Sequence, residues 1–149
     1  MSEGQLLADR PNVWHGFDLG LLAGLGFALV YGVCAEVLSL TWGLAAVGFL
    51  GGIVVGGAVT QGAWAGRKHI TVHRLQLAAA LTGVGAWIVG LFVAYAISQA
   101  LIPQPSTGLL ERLSFGGFSD YFTGQFEFMR VVHAAALAAA AFMAWRGAR

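Results

Sequence analysis

The stretch GLAAVGFLGGIVVGG, residues 43–57, determines the architecture of this chain. Within it, Gly48, Gly52 and Gly56 recur at every fourth position of an apolar run. Residues four apart lie on one face of an α-helix, so these glycines form a smooth stripe that another helix backbone can approach closely. Inside a bilayer hydrophobicity does not favour helix over lipid, and close packing of small residues is a main source of helix association. The stretch therefore predicts a helix-packing ridge in a membrane protein.

The composition of the whole chain agrees with this interpretation. Of its 149 residues, 58% are hydrophobic and only 10% are charged, whereas about a quarter of the residues of a soluble domain are charged. A chain of this length has too little interior volume to hide so much apolar surface from water. We therefore predict an all-α fold, an integral membrane four-helix bundle formed by a single domain over residues 1–149.

Several functional classes are excluded or disfavoured by the same counts. A net charge of +1 without a clustered basic face argues against a nucleic-acid partner. The single cysteine, Cys34, excludes an internal disulfide and a multi-cysteine metal site. No nucleophile elbow or phosphate-binding loop is present in the sequence. We therefore expect neither an enzyme nor a bound cofactor or metal.

Four apolar stretches are long enough to cross the hydrocarbon core, which takes about 20 helical residues. They cover about 17–36, 40–63, 75–102 and 126–145. No small-residue cleavage site follows the first of them, which we therefore interpret as a retained span and not as a signal peptide.

Small residues also recur outside the second span. The third span carries a weaker ridge of four such residues, which are Ala86, Gly90, Ala94 and Ser98. The first span offers a notch at Gly20 and Gly24. Because only a short break at 39–42 separates the first two spans, we expect this notch to be the partner of the glycine ridge.

The distribution of basic residues predicts the orientation. Arg67, Lys68 and Arg74 lie together in the loop 61–74, and short basic loops stay on the cytoplasmic side. Four spans then place both termini in the cytoplasm, with the chain in the inner (plasma) membrane.

The long connection between the third and fourth spans is unusually apolar for a loop. It contains three leucines and several aromatic residues within 106–123. Such a segment is typical of a short helix lying in the headgroup layer. A re-entrant cap over the bundle is the alternative.

The most informative polar residues lie near the end of the first span and the start of the fourth, which are expected on the same side of the bundle. Glu127, Arg130 and His133 are spaced three apart in the fourth span, and Glu36 ends the first span and could pair with Arg130. One interpretation is an interfacial salt bridge together with a histidine hydrogen-bonded between helices. The other is a proton or ligand site at the outer mouth, because ionisable groups within a bilayer usually face a protein interior or a water-filled cavity.

Other uses of the histidines are less well supported by the sequence. A haem-binding bundle needs two histidines at one depth on facing helices, and His133 lies at the opposite end from His15, His69 and His73. The pair His69 and His73 has the spacing of helical metal ligands, but the sequence supplies no evident third ligand.

The run GFLGGIVVGGAVTQGAW (48–64), the turn AGRKH (65–69) and the following HRLQLAAALTG (73–83) resemble a hairpin of small uncharacterised bacterial polytopic membrane proteins. In that group a glycine-rich helix precedes a basic turn and a further helix. The resemblance implies a hairpin topology and a bacterial inner-membrane setting, and it implies no activity.

These observations favour a small membrane protein that acts through helix packing, either as a homo-oligomer or as an accessory subunit of a membrane complex. Its expected partners are the lipid bilayer and either a second copy or another membrane protein. The alternative is a small transporter or channel with an outer vestibule lined by Glu36, Glu127, Arg130 and His133.

Overall fold

The computed structural model describes residues 11–64, 73–102, 108–124 and 127–148, which are helical apart from short connections. Within these ranges no strand is present, and the predicted all-α fold is confirmed. The long helices are α1 (Val13–Glu36), α2 (Gly43–Trp64), α3 (His73–Leu101) and α6 (Glu127–Gly147), and the short ones are α4 (Leu109–Arg112) and α5 (Phe115–Gly124).

In this described part of the chain, four helices are long and apolar enough to cross a membrane. They contain 21 to 29 residues, which at 1.5 Å per residue corresponds to about 32 to 44 Å. A hydrocarbon core is about 30 Å thick, so α3 must tilt or project beyond it. The architecture is that of a multi-pass membrane protein.

The ends of α1 follow from local chemistry. Asn12 caps the helix by accepting a hydrogen bond from the His15 backbone N–H at 3.2 Å, a role for which asparagine is strongly preferred. At the other end Ser39 has a positive φ of 47°, which an L-residue adopts at some energetic cost. This tight turn reverses the chain and returns α2 antiparallel to α1.

Two pairs of parallel helices hold the bundle together through small residues. In the first pair, α2 packs against α6, and the facing residues are Gly48 with Ala136, Gly52 with Ala140, and Gly56 with Ala144. In the second pair, α1 packs against α3, and the facing residues are Gly24 with Ala86, Ala28 with Gly90, and Gly32 with Ala94. Each pair keeps one constant register, because both ridges repeat every four residues.

The expected partner of the glycine ridge is therefore wrong. Gly48, Gly52 and Gly56 contact α6, whereas Gly24 packs on α3 and Gly20 lies beside Val59 and the methyl group of Thr82. The physical reason is that α2 presents a second, separate face to α1. On that face Gly51 lies directly against the ring of Phe27.

The far ends of α1 and α2 also approach closely. A Cβ at Gly62 would lie 2.7 Å from the carbonyl oxygen of His15, and a Cβ at Gly16 would lie 2.6 Å from that of Val59. The backbone N–H of Asn12 donates to the carbonyl of Ala63 at 2.8 Å. The two helices thus form a closed hairpin that does not use the ridge.

The segment 108–124 forms α4 and α5 over the end of the bundle where α1 and α3 finish. Phe118 and Phe122 of α5 pack against the hydrophobic core of that end, while Phe115 is 86% exposed. The rings of Phe118 and Phe122 thus face the bundle, while the exposed side of α5 carries the polar residues Ser119, Asp120 and Thr123 beside Phe115. The predicted loop residues Arg67, Lys68 and His69, and the predicted start of the fourth span at 126, lie outside the described residues.

Candidate functional site

A buried polar cluster lies beneath the cap that α4 and α5 form. It consists of Tyr31 on α1, Trp87 on α3 and His133 on α6. The exposed fractions of Tyr31 and His133 are only 0% and 1%. Three side chains from three different helices therefore meet at one point in the interior.

The helix packing explains why these side chains reach one another. Cβ and Cδ1 of Tyr31 lie beside Gly90, one turn of α3 beyond Trp87, so the glycine lets the tyrosine enter the bundle. The rings of Phe27 and Tyr31 pack edge to face, with their centroids 5.9 Å apart. His133 comes from α6 one turn before Ala136, which packs on Gly48. The small-residue ridges thus set the position of the cluster.

The hydrogen bonds of the cluster fix the protons. Trp87 Nε1–H can only donate, and it donates to Tyr31 Oη at 3.3 Å. Tyr31 Oη lies 2.6 Å from His133 Nδ1. A proton on Nδ1 would leave the buried tyrosine O–H without an acceptor, so the arrangement favours donation from Tyr31 to Nδ1. Nδ1 then accepts, and the proton of the neutral imidazole lies on Nε2.

This arrangement leaves His133 Nε2–H as a buried donor. Among the described residues no hydrogen-bond partner for Nε2 is found. A buried donor without an acceptor costs about 1–3 kcal/mol, and the ring is otherwise surrounded by apolar groups such as Val132 and Phe122. An unsatisfied group of this kind in a native interior calls for an explanation.

The cap is tied to the bundle by both rings and hydrogen bonds. Phe118 stacks obliquely with Phe92 and edge-on with Tyr95, with centroids 5.8 Å away in each case. Tyr95 Oη donates to the carbonyl oxygen of Arg112 at 2.8 Å. Tyr121 Oη donates to Glu36 Oε1.

Arg112 closes the opposite side of the cap. One guanidinium nitrogen donates to the carbonyl oxygen of Gln99 at 2.7 Å and to that of Ile102 at 3.1 Å. These carbonyls belong to the end of α3, where no further helical N–H is available to them. The positive charge also suits the negative end of the helix dipole.

The predicted polar residues are not brought together. His133 is buried, but Glu127 and Arg130 are both exposed. A helix turns by about 100° per residue, so residues three apart drift by about 60° at each step. Over the six residues from Glu127 to His133 the drift reaches about 120°, which separates the buried ring from the charged pair. Glu36 is half-buried and is engaged by Tyr121.

Two residues of the cluster were absent from the sequence prediction. These are Tyr31 and Trp87, whose residue types are common near membrane interfaces and therefore do not stand out in the sequence. The available signal was their position inside spans that also contain glycine ridges. A buried tyrosine hydroxyl or indole N–H in such a place needs a partner.

The remaining ionisable groups do not suggest a metal centre in the described part of the chain. In residues 11–64, 73–102, 108–124 and 127–148, no three His, Cys, Asp or Glu side chains cluster together.

The chain matches no protein-family model, no curated protein and no solved structure.

Proposed function

We propose that this chain is a small multi-pass protein of a bacterial inner membrane that acts through helix packing, as a homo-oligomer or as an accessory subunit of a membrane complex. The observation that carries the proposal is a pair of glycines on the outer surface of the bundle, Gly26 and Gly85. Each lines an apolar groove beside α1.

The two grooves lie on opposite sides of α1. The groove between α1 and α2 has a volume of about 490 Å³ and contains Gly26, with Phe27 and Gly51 among its lining residues. The groove between α1 and α3 has a volume of about 370 Å³ and contains Gly85, near Gly24. α1 therefore separates two apolar grooves on the surface of the bundle.

These surface glycines have no packing partner inside the described structure. A Cβ added to Gly26 or to Gly85 would find no neighbouring side chain or other helix within 4 Å there. In a soluble helix glycine costs about 1 kcal/mol relative to alanine. The ridge glycines such as Gly52 offset that cost by close contact within the bundle, whereas Gly26 and Gly85 do not. Gly57 of α2 also lacks such a contact but lines neither groove, whereas Gly26 and Gly85 do. Their compensating contact is therefore expected from a transmembrane helix that lies in the grooves.

The proposed orientation places the capped end outside and both termini in the cytoplasm. It is supported by the basic residues of the loop 61–74, of which Arg74 belongs to α3 and lies at the end opposite the cap.

The proposal is tested by leucine substitutions in the grooves. Gly26→Leu and Gly85→Leu should fill the grooves without disturbing the bundle, because the described structure leaves room for a side chain at both positions. Size-exclusion chromatography with light scattering, in mild detergent, should show a smaller assembly than for the wild type, with unchanged helicity. Co-purification of two differently tagged copies would identify a homo-oligomer, and a fixed foreign protein would identify a larger complex.

Gly57→Leu is the matched control. It is another glycine whose added Cβ meets no neighbour within 4 Å among the described residues, and it lies on α2 outside both sets of groove residues. Its assembly should equal that of the wild type. If both groove variants also keep the wild-type assembly, association does not use these grooves.

The alternative function, a small transporter or channel with an outer vestibule, is supported by fewer observations than the helix-packing function. The buried His133 supports it, since intramembrane ionisable groups often mark transport paths. However, Glu127 and Arg130 are exposed, and α4 and α5 cover that end of the bundle. Substrate flux into proteoliposomes that is lost in His133→Ala and kept in Glu127→Gln would favour the alternative.

A further inference from the structure

His133 Nε2 is one of two buried side-chain nitrogens without a hydrogen-bond partner among the described residues, the other being Arg112 Nε. The ring of His133 is 1% exposed, and its other nitrogen is held by Tyr31. The Trp87–Tyr31–His133 chain favours the tautomer in which Nε2 is the protonated nitrogen. The site is therefore built to donate one hydrogen bond.

We propose that His133 Nε2–H is the recognition group of a binding site, beneath the α5 helix, for a neutral molecule that presents a carbonyl oxygen. This inference concerns a different part of the molecule from the grooves beside α1. It therefore stands or falls independently of the proposed association.

The donor identity of Nε2 determines the ligand's functional group. A donor is satisfied by an acceptor oxygen, and the tautomer with the proton on Nε2 is favoured because it gives the buried Tyr31 O–H an acceptor, His133 Nδ1. A ligand whose only polar group is a donor without a lone pair, such as an ammonium, would leave Nε2–H unpaired.

The surroundings favour a neutral oxygen over a charged one. The residues packed around the cluster are apolar, among them Phe27, Val132 and Phe122. The guanidinium of Arg112 lies at the end of α3, where one of its nitrogens donates to the carbonyls of Gln99 and Ile102. A carboxylate ligand would lose its hydration without gaining a cation. A carbonyl oxygen loses far less on entering such a site.

The α5 helix is the element that must move to admit a ligand. None of its described residues is buried, and it covers the cluster through half-buried rings such as Phe122, whose centroid lies 6.5 Å from that of His133. His133 lies about 9 Å along α6 from Glu127, at 1.5 Å per residue. A lipid ester and a free carbonyl compound both carry such a carbonyl oxygen, and the two sources are distinguished below.

The test uses the imidazole itself as the reporter. Full-length protein with ¹⁵N-labelled histidine is placed in nanodiscs of ether phospholipid, which has no ester carbonyl, and separately in nanodiscs of the matching ester phospholipid. NMR then follows the Nε2–H signal of His133, assigned by its loss in His133→Phe. The signals of His73→Phe provide the control, since His73 lies at the opposite end of the bundle and is exposed.

The free-ligand arm adds duroquinone to the ether nanodiscs. This quinone carries two carbonyl oxygens and has no open ring position for reaction with Cys34. Durene, which has the same four methyl groups on a benzene ring and no oxygen, is the matched control compound. A saturable downfield shift of Nε2–H with duroquinone and not with durene supports a free carbonyl ligand. A downfield shift in ester relative to ether nanodiscs supports a lipid carbonyl.

Three results would overturn the proposal. The first is an Nε2–H signal that is the same in both lipids and insensitive to duroquinone. The second is an equal shift with durene, which would show a solvent effect only. The third is a bound water close to Nε2–H that persists at saturating duroquinone, which would make the partner a structural water. Tyr31→Phe should weaken duroquinone binding, and the comparison on wild-type protein remains decisive if that variant does not fold.

Discussion

At Gly52 a single added carbon atom decides whether two helices can close on each other. A Cβ there would lie 2.5 Å from the carbonyl oxygen of Ala140 and 2.9 Å from the Cβ of Met143. The carbonyl oxygen is backbone and cannot rotate away. By contrast, a Cβ at Gly57 on the same helix would meet no neighbour within 4 Å among the described residues.

Gly52→Ala should therefore destabilise the bundle by about 1–3 kcal/mol, the usual range for overpacking. Gly57→Ala should be neutral or slightly stabilising, because alanine is the better helix former. Reversible unfolding of both variants in mixed micelles measures the difference. Equal stability of the two variants would show that α2 does not close on α6 at Gly52.

Tyr31 controls a second local effect, the hydrogen-bonded chain to His133. Tyr31→Phe leaves both the Trp87 N–H and His133 Nδ1 without their partner. Hydrogen bonds between membrane helices average about 0.6 kcal/mol in double-mutant cycles, so we expect a loss of about 1 kcal/mol for the two.

A double-mutant cycle with His133→Leu isolates the Tyr31–His133 part of that loss. Unfolding free energies of the wild type, both single variants and the double variant are required. Strictly additive losses would mean that the two side chains do not interact.

Among the elements, α5 is held more weakly than the four long helices. Its bundle-facing side consists of half-buried residues, including Phe118 against Phe92 and Tyr95, and it has no buried residue in the described structure. Segments with few buried contacts open at low free energy. The cap is thus the part of the described molecule best suited to local opening.

Phe118→Ala should raise the rate of hydrogen exchange in residues 115–124 several-fold and leave α2 and α3 protected. The reason is the loss of the ring contacts that hold α5 to α3. Hydrogen exchange with mass spectrometry in nanodiscs provides the measurement.

Phe115→Ala is the control, because that ring is 86% exposed. It should leave the exchange of α5 almost unchanged. If both alanine variants behave alike, the Phe118 contacts do not hold the cap.

The comparison of sequence and structure is clearest for α2. The fourfold repeat of Gly48, Gly52 and Gly56 predicts a close helix contact, because glycine has no side chain to keep a neighbour away. It does not identify the neighbour, since any small-residue stripe satisfies it. The short connection between the first two spans favours α1 as the neighbour, whereas the observed partner is the alanine stripe of α6.

The candidate site was less predictable for a similar reason. His133 could be selected because a histidine within an apolar span is rare. Its partners Tyr31 and Trp87 lie far away in the sequence and have ordinary residue types for a membrane helix. Only the packing of α1, α3 and α6 brings them together. The charged residues Glu127 and Arg130, spaced three residues apart from His133 and from each other, lie outside the buried face of α6.

For the whole molecule, the four long helices place the cap and the end of α6 on opposite sides of the membrane. Ser119 on α5 and Arg146 near the end of α6 are both exposed. Since α6 is 21 residues long, it extends about 32 Å at 1.5 Å per residue. The two positions therefore report orientation.

Single cysteines at these positions test the proposed topology. In a Cys34→Ala background, Ser119→Cys should react with a membrane-impermeant maleimide in intact cells, and Arg146→Cys should react only after permeabilisation. The reverse pattern would invert the orientation. Reaction of both positions in intact cells would contradict four spans.

The parallel pairing of α2 with α6 also has a consequence for biosynthesis. Gly48 packs against Ala136, which is translated about ninety residues later, so this contact cannot form until α6 has been synthesised. At about 5–20 residues per second, the glycine face of α2 spends at least several seconds in the membrane before its partner emerges from the ribosome. During that interval lipid, the insertion machinery or a neighbouring nascent helix must cover it. A ribosome that stalls before α6 would leave an adhesive, unfinished hairpin in the bilayer.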